Sequence, residues 1–323
     1  MAARHFTETE IKTPRTNTIL DKLAERPVVI VEFDPPKDLD LEDYLKGALN
    51  LWAAGADAIT MADNSLAQIR MSNLALGAIV KHRLGIDPLI HITCRDRNLL
   101  GQQSHLMGLH ALGINQVLVI TGDPARFGDL PGSSSVFDVS SFDLIRMVKQ
   151  LNNGISFSGK PMKQKAKFVV GAAFNPHVNK FENALDRLEK KIAAGADFIM
   201  TQPVYDAEMI ERIYEKTKVY DIPIFLGIMP LTSSRNAEFL HNEVPGIRLS
   251  EEALERMRKY TGEEARREGL EMAKELTEVA LRYFRGIYVI TPFNYYEISA
   301  ELVRYVRSFG DGQFVADRPL LQN

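Results

Sequence analysis

Eight short apolar runs punctuate the chain, at 28–33, 57–63, 89–94, 116–123, 168–175, 197–204, 223–230 and 286–293. The run at 116–123, QVLVITGD, shows the pattern best. Val117 to Ile120 are uniformly apolar, as a strand buried on both faces of a parallel sheet requires. Gly122 then permits a close backbone approach, and Pro124 ends the ladder. Between the first two runs, Leu41, Tyr44, Leu45, Ala48, Leu51 and Trp52 recur at three- and four-residue spacing, which predicts an amphipathic helix. Eight strands alternating with helices predict a (β/α)8 TIM barrel. A doubly wound open sheet is the runner-up, but no Gly-rich dinucleotide turn follows any of the runs.

An internal echo supports equivalent βα units. LWAAGADAIT at 51–60 and KIAAGADFIMT at 191–201 share Ala-Ala-Gly-Ala-Asp, and HALGINQVLVIT at 110–121 is a looser copy. In each, a glycine ends a helix just before a strand begins. The expected organisation is an N-terminal extension at 1–26, a barrel at 27–309 and a C-terminal tail at 310–323. Three segments depart from the rhythm. Residues 124–141 form a long Gly/Ser/Pro connection of the kind that is functional or disordered. Residues 152–165 are polar and basic and lead to the N-terminal rim, so they read as a surface excursion. Residues 250–284 alternate Glu with Arg and Lys and read as a solvated outer helix pair meeting near Gly262.

Composition narrows the function classes. The 323 residues are 45% hydrophobic and 25% charged, with a formal net charge of -3, so no basic field points to nucleic acid or anionic membrane. A single cysteine, Cys94, excludes an internal disulfide framework and a cysteine-rich zinc site. The N-terminus lacks a signal core and no run approaches a membrane span, so the expected compartment is reducing and cytoplasmic.

The strand ends carry the candidate chemistry, because in such barrels the C-terminal rim is where chemistry is placed. Glu32 closes the first run, Thr60 and Asp63 the second, His91, Thr93 and Cys94 the third, and Asp123 the fourth. Asn175 and His177 follow the fifth, Gln202 and Tyr205 the sixth, and Thr291 and Asn294 the eighth. Each has a plain alternative: Asp123 caps a turn, His91 is a core imidazole, Cys94 a small hydrophobe, Gln202 a loop-capping amide. Metal binding fits poorly without a helical His pair, and neither a nucleophile elbow nor a Walker loop is present. The set suits a planar, polar, uncharged or anionic ring system.

The ordered motifs resemble those of the methylenetetrahydrofolate reductase family of flavoprotein barrels. They are VEFDPP at 31–36, ADNSL at 62–66, HITCRDR at 91–97, ITGDP at 120–124, FNPH at 174–177, TQPVYD at 201–206, GIMPLTSSR at 227–235 and TPF at 291–293. The likeness is nearest to the reductase half of bacterial two-domain homocysteine methyltransferase/reductase proteins. It implies bound FAD, reduction by NADH or NADPH, and ping-pong transfer of hydride to 5,10-methylenetetrahydrofolate, giving 5-methyltetrahydrofolate for methionine synthesis. It makes Glu32 the acid that protonates N10 of the folate and Asp123 the carboxylate beside the flavin pyrimidine edge. Gln202 becomes the amide that hydrogen-bonds the pterin. Thr60, His91, His177 and Lys191 become flavin contacts, with Lys191 at the pyrophosphate, and Ser140 and Ser141 lie in the loop that reaches the flavin.

The chain departs from the family pattern at two points. Thr121 stands where better-known members have an arginine, and Asn294-Tyr295-Tyr296 stands where an arginine for the folate tail is expected. Tyr295 is the residue proposed to stack on the aminobenzoyl ring instead. Residues 1–26 are too few for a methyltransferase domain and those after Phe309 too few for a regulatory one, so a lone catalytic barrel is expected. Two competing classes stay open: a flavoprotein subunit fed electrons by a redox partner, and a folate-binding or methyl-transfer protein without flavin. Oxidation of NADH with menadione as acceptor separates the first from a self-sufficient enzyme, and a yellow colour excludes the second. Homo-oligomer formation is likewise open.

Overall fold

The computed structural model describes residues 18–130, 132–244 and 246–309. Helix α1 (Ile19–Glu25) leads into β1 (Val28–Glu32), followed by α2 (Glu42–Ala53), β2 (Ala58–Met61), α3 (Asn73–Ile79) and β3 (Pro88–Thr93). Next come α4 (Leu99–Ala111), β4 (Gln116–Ile120), α5 (Ser141–Asn152), β5 (Val169–Phe174), α6 (Phe181–Ala193) and β6 (Phe198–Pro203). The chain continues through α7 (Ala207–Thr217), β7 (Ile224–Ile228), α8 (Ser234–Glu243), α9 (Glu251–Arg258), α10 (Gly262–Leu281), β8 (Gly286–Ile290) and α11 (Tyr296–Ser308). The eight strands form a closed parallel barrel in chain order, with β1 paired to β8. The (β/α)8 expectation holds. Among the described residues no helix is long and apolar enough to cross a membrane.

The strands alternate two apolar layers. Val29, Val31, Ile59, Ile90, Val117, Val119 and their equivalents face the helices, while Val28, Ile30, Ala58, Leu89, Leu118, Phe198, Met200, Phe225 and Tyr288 fill the barrel. Both layers being apolar is why the runs read as continuous hydrophobic stretches. The observed strands stop sooner than the sequence suggests. β4 ends at Ile120, and Gly122, at φ +84, turns the backbone so that Asp123 lies just beyond the strand's C-terminal end, as the Gly-Asp-Pro stop implies.

Part of the predicted extension belongs to the barrel. A capping box between Thr18 and Asp21 starts α1, and the buried Ile19 joins the interior layer with its N–H donating to Gln116 Oε1 at 2.8 Å. The tail at 310–323 lies outside the described residues. The segment at 250–284 differs from a purely solvated pair. Gly262 begins α10 as expected, but Leu254, Met257, Ala265 and Met272 join Tyr205, Leu231, Leu240 and Leu249 in a second apolar cluster. Its charges occupy the other faces, where Arg256 pairs with Glu268 and Glu275. Residues 152–165 form a short excursion closed by an antiparallel bridge between Ile155 and Pro161.

Candidate functional site

Strand alternation decides which side chains meet at the barrel mouth. Because Val28 and Ile30 point inward, so does Glu32; Ala58 sets Thr60 and Leu89 sets His91 by the same parity, whereas a register irregularity between Met200 and Pro203 breaks the alternation of β6 before Gln202. Three residues singled out from the sequence, Glu32, Thr60 and His91, are thus turned into the mouth. Register places Glu32 directly beside Thr60. Glu32 lies 3.7 Å from His91 Nε2, and the Tyr288 hydroxyl on β8 donates to Glu32 Oε2. Gln202 is exposed near the end of β6.

Burial neutralises the pair at its centre. Glu32 is pushed up to about 8, by loss of water and then by the neighbouring Asp34, against the Tyr288 hydrogen bond and the Arg70 charge. Burial also drives His91 down to about 4, so near neutral pH a carboxylic acid faces an uncharged imidazole. Asp34 is itself raised by burial, although Arg70 contacts it at 2.9 Å and Ser65 donates to it at 2.8 Å. Asp63 behaves oppositely. Burial opposes its charge, but a two-pronged contact from Arg97 at 2.6 and 3.0 Å and the N–H and hydroxyl of Thr93 hold it below its usual range. Asp63 is therefore held as an ion-paired anion, whereas burial favours the protonated form of Glu32.

Some of the buried polar atoms without a partner lie at the strand ends, while others, such as Arg285 Nε and Asn236 Nδ2, lie elsewhere in the fold. Thr60 Oγ1, His91 Nε2 and Thr291 Oγ1 have no hydrogen bond within the described structure, and the first two belong to the inward layer beside Glu32. Backbone strain gathers at the same rim. The non-glycine residues with positive φ are Asn64, Leu66, Ala67, Phe137, Phe293 and Asn294 among the described residues, all in loops after β2, β4 and β8. Each such residue costs on the order of 1–3 kcal/mol, a burden that clusters at functional sites. Leu66, Ile69, Phe127, Phe293 and Tyr295 expose apolar surface on these loops.

Arg95 organises this rim, and the sequence reading missed it. It is 2% exposed, and it donates to the carbonyls of Asp63, Asn64 and Asp123 at 3.0, 3.0 and 3.2 Å while gripping Asp96. One guanidinium thereby ties the loops after β2, β3 and β4 together. The available signal was the RDR inside the HITCRDR motif, from which no role was drawn for Arg95. The loop after Asp123 is also pinned: Val136 N–H donates to Arg95 O at 2.8 Å, Phe137 N–H to Cys94 O at 3.1 Å, and Asp129 accepts from Ile69 N at 3.0 Å. Gly128 lets it pass close to the β2 loop, since a Cβ there would lie 1.8 Å from Ala67 O. Arg95→Met is expected to lower stability by about 3 kcal/mol, because the buried carbonyl of Asp63, the partly buried carbonyls of Asn64 and Asp123, and Asp96 lose their donor. Denaturant unfolding measures it, and a loss under about 1 kcal/mol would mean that water replaces the guanidinium.

The other predicted positions are more scattered. Asp123 is exposed in the loop after β4; its backbone carbonyl accepts from Arg95, and its carboxylate also interacts with that guanidinium's charge. His177 follows β5 and shares a hydrogen with Pro203 O at 3.3 Å, its basicity lowered by burial. Ser140 caps α5 in a reciprocal box with Asp143, while Ser141 is buried and 3.4 Å from the Thr121 hydroxyl. Lys191 sits in the last turn of α6, its ammonium on the Ala173 carbonyl and its pKa brought down to about 8 by burial and then by Arg187. Tyr295 is exposed after β8, with the Arg266 guanidinium 5.6 Å from its ring centre. Glu32, Thr60 and His91 form one site with Tyr288, and Gln202 lies at the end of β6; Lys191, Ser140 and Ser141 are held by contacts of their own.

A parallel eight-stranded barrel with a buried acid among unpartnered polar groups at its C-terminal mouth defines the class: a barrel built for chemistry at its strand ends. The chain belongs to the methylenetetrahydrofolate reductase family, whose model matches residues 15–301. A 5,10-methylenetetrahydrofolate reductase of Pectobacterium carotovorum is 24% identical over 228 residues, covering 69% of this chain and 70% of that protein. That of Escherichia coli is 23% identical over 216 residues, with 65% and 67% covered. A probable methylenetetrahydrofolate reductase (NADPH) of Caenorhabditis elegans is 25% identical over 233 residues, 67% of this chain but 33% of that one, so the chain spans about a third of this longer relative. Among solved structures, an uncharacterized protein from Clostridium thermocellum that binds two copies of 5-methyl-5,6,7,8-tetrahydrofolic acid shares the fold, with TM-score 0.61 and 14% identity over 90% of this chain and 98% of that one.

Proposed function

We propose that this barrel reduces 5,10-methylenetetrahydrofolate to 5-methyltetrahydrofolate with FAD as the hydride carrier and NADH or NADPH as the donor. The observation that carries the reading is Glu32, a carboxylic acid still protonated near neutral pH, at the mouth of a barrel of this family. Opening the bridge between N5 and N10 of the folate requires a proton on the departing N10, and a general acid poised near the working pH delivers one most effectively. Glu32 supplies that proton. Neutral His91 beside it adds no positive charge that would draw the proton off and leave a carboxylate.

The residues present fit a flavin. Thr60 Oγ1 and His91 Nε2, buried and unpartnered, are matched by the polar edge of such a ring, and Asp123 adds an exposed carboxylate after β4. FAD, when bound, would supply hydride transfer between the nicotinamide and the folate. Gln202 offers an amide able to donate and accept toward the pterin. Tyr295 offers an exposed ring for the aminobenzoyl group.

The test is anaerobic. The full chain loaded with FAD should lose its flavin absorption on mixing with NADH or NADPH and regain it on adding 5,10-methylenetetrahydrofolate, with 5-methyltetrahydrofolate found by mass spectrometry. Failure to retain FAD would overturn the reading. Flavin that exchanges hydride with the folate but ignores both nicotinamides would assign electron delivery to a partner subunit.

A further inference from the structure

We propose that Tyr288 is a positioning residue for Glu32: its hydroxyl claims Oε2, so that Oε1 is the oxygen that carries the proton towards a bound ligand. The inference rests on the reading of Glu32 as the acid and adds a residue that the sequence left in the core. Three observations carry it. Tyr288 lies on the inward face of β8, two residues along the strand from Gly286, and its ring is buried with the barrel's interior layer. Its hydroxyl donates to Glu32 Oε2, while no hydrogen bond occupies Oε1 among the described residues. Register sets β8 directly against β1, with Ile30 opposite Tyr288 and Glu32 opposite Ile290, so the ring reaches the carboxyl from one strand away.

The consequence is a division of labour within one carboxyl group. While Glu32 is protonated, a hydroxyl donating to Oε2 leaves the acidic hydrogen on Oε1. Once the proton has gone, the same hydroxyl stabilises the carboxylate that remains. Tyr288 keeps its own proton throughout, because burial and the adjacent Glu32 raise it well above the usual phenol range. Other titratable or charged groups facing Glu32 are Asp34 after β1, Arg70 after β2 and His91 on β3. Asp34 favours the protonated acid and Arg70 the carboxylate, so the hydroxyl acts with Arg70 against burial and Asp34. Removing it should therefore raise the Glu32 midpoint further.

The experiment reads Glu32 in the full chain without turnover. Infrared difference spectra over a pH titration report the carbonyl stretch of protonated carboxylic acids, and the band lost in Glu32→Gln identifies this residue. In Tyr288→Phe the midpoint should rise by about one pH unit, a tenfold drop in the acid dissociation constant, and the band should shift as the oxygen loses its donor. Where Tyr288→Phe fails to fold, replacing Tyr288 with 3,5-difluorotyrosine keeps the ring and strengthens the donor, and the midpoint should then fall. An unchanged midpoint and band in either variant would overturn the proposal and leave Tyr288 as packing. Absence of any Glu32 band near neutral pH would instead overturn the reading of Glu32 as the acid.

Discussion

Glu32→Gln is expected to abolish reduction of the folate while flavin reduction by NADH or NADPH continues at close to the original rate. Only the folate half of the cycle breaks a carbon–nitrogen bond, so only that half needs an acid. Glutamine keeps the size of the side chain, and its carbonyl still accepts from Tyr288, but its amide cannot give up a proton at working pH. A positioned general acid contributes typically about 10²–10⁴-fold, which sets the loss expected in single-turnover folate reduction. The unaltered protein makes a matching pH prediction. With Glu32 raised to about 8, the acid form prevails below that pH and is lost above it, so folate reduction should hold a plateau and then fall about tenfold per pH unit on the alkaline side. Equal loss of both half-reactions in the Gln variant would indicate a damaged site and not a missing proton.

Asp123→Asn should raise the midpoint potential of bound FAD by tens of millivolts and slow hydride delivery to the folate. A carboxylate beside the flavin disfavours the added negative charge of the reduced ring. At an effective dielectric of about 20 and a separation of about 4 Å the effect would be ~4 kcal/mol, an upper bound. Asp123 is exposed, which screens it, and since about 1.4 kcal/mol corresponds to 30 mV for two electrons, tens of millivolts are expected. Arg95 holds the backbone carbonyl of Asp123 at 3.2 Å, an anchor that does not depend on the side chain. A redox titration of both proteins decides the matter. An unchanged or lower potential in the Asn variant would leave Asp123 shaping the loop without tuning the flavin.

Much of the site was legible because its residues stand at strand ends, and strand ends are announced by Gly, Pro and Asn. Glu32 before Asp34-Pro35, and Asp123 before Pro124, could be placed on the C-terminal rim from the turn residues alone. Tyr288 and Arg95 were not legible. A tyrosine within an apolar strand reads as core, and an arginine between Cys94 and Asp96 reads as surface charge. Both are buried polar groups whose partners come from other strands, and no local signal names those partners. The charge pattern of α9 and α10 misled in the same way. It described their outer faces correctly and hid the apolar cluster they close with Leu231 and Leu240.

By itself, then, the sequence determined the number of strands, their parallel sense, the rim that bears the polar residues, and the motifs that tie the chain to its family. These follow from local chemistry: side-chain period, turn-forming residues and the order of short motifs. Tertiary structure alone decided which rim residues act together. Closure of the barrel sets β8 beside β1 and so brings the Tyr288 hydroxyl onto Glu32 across 256 positions of chain. Burial in that closed mouth, a property of the assembled layers and of no single residue, is what raises Glu32 into an acid and leaves His91 neutral beside it.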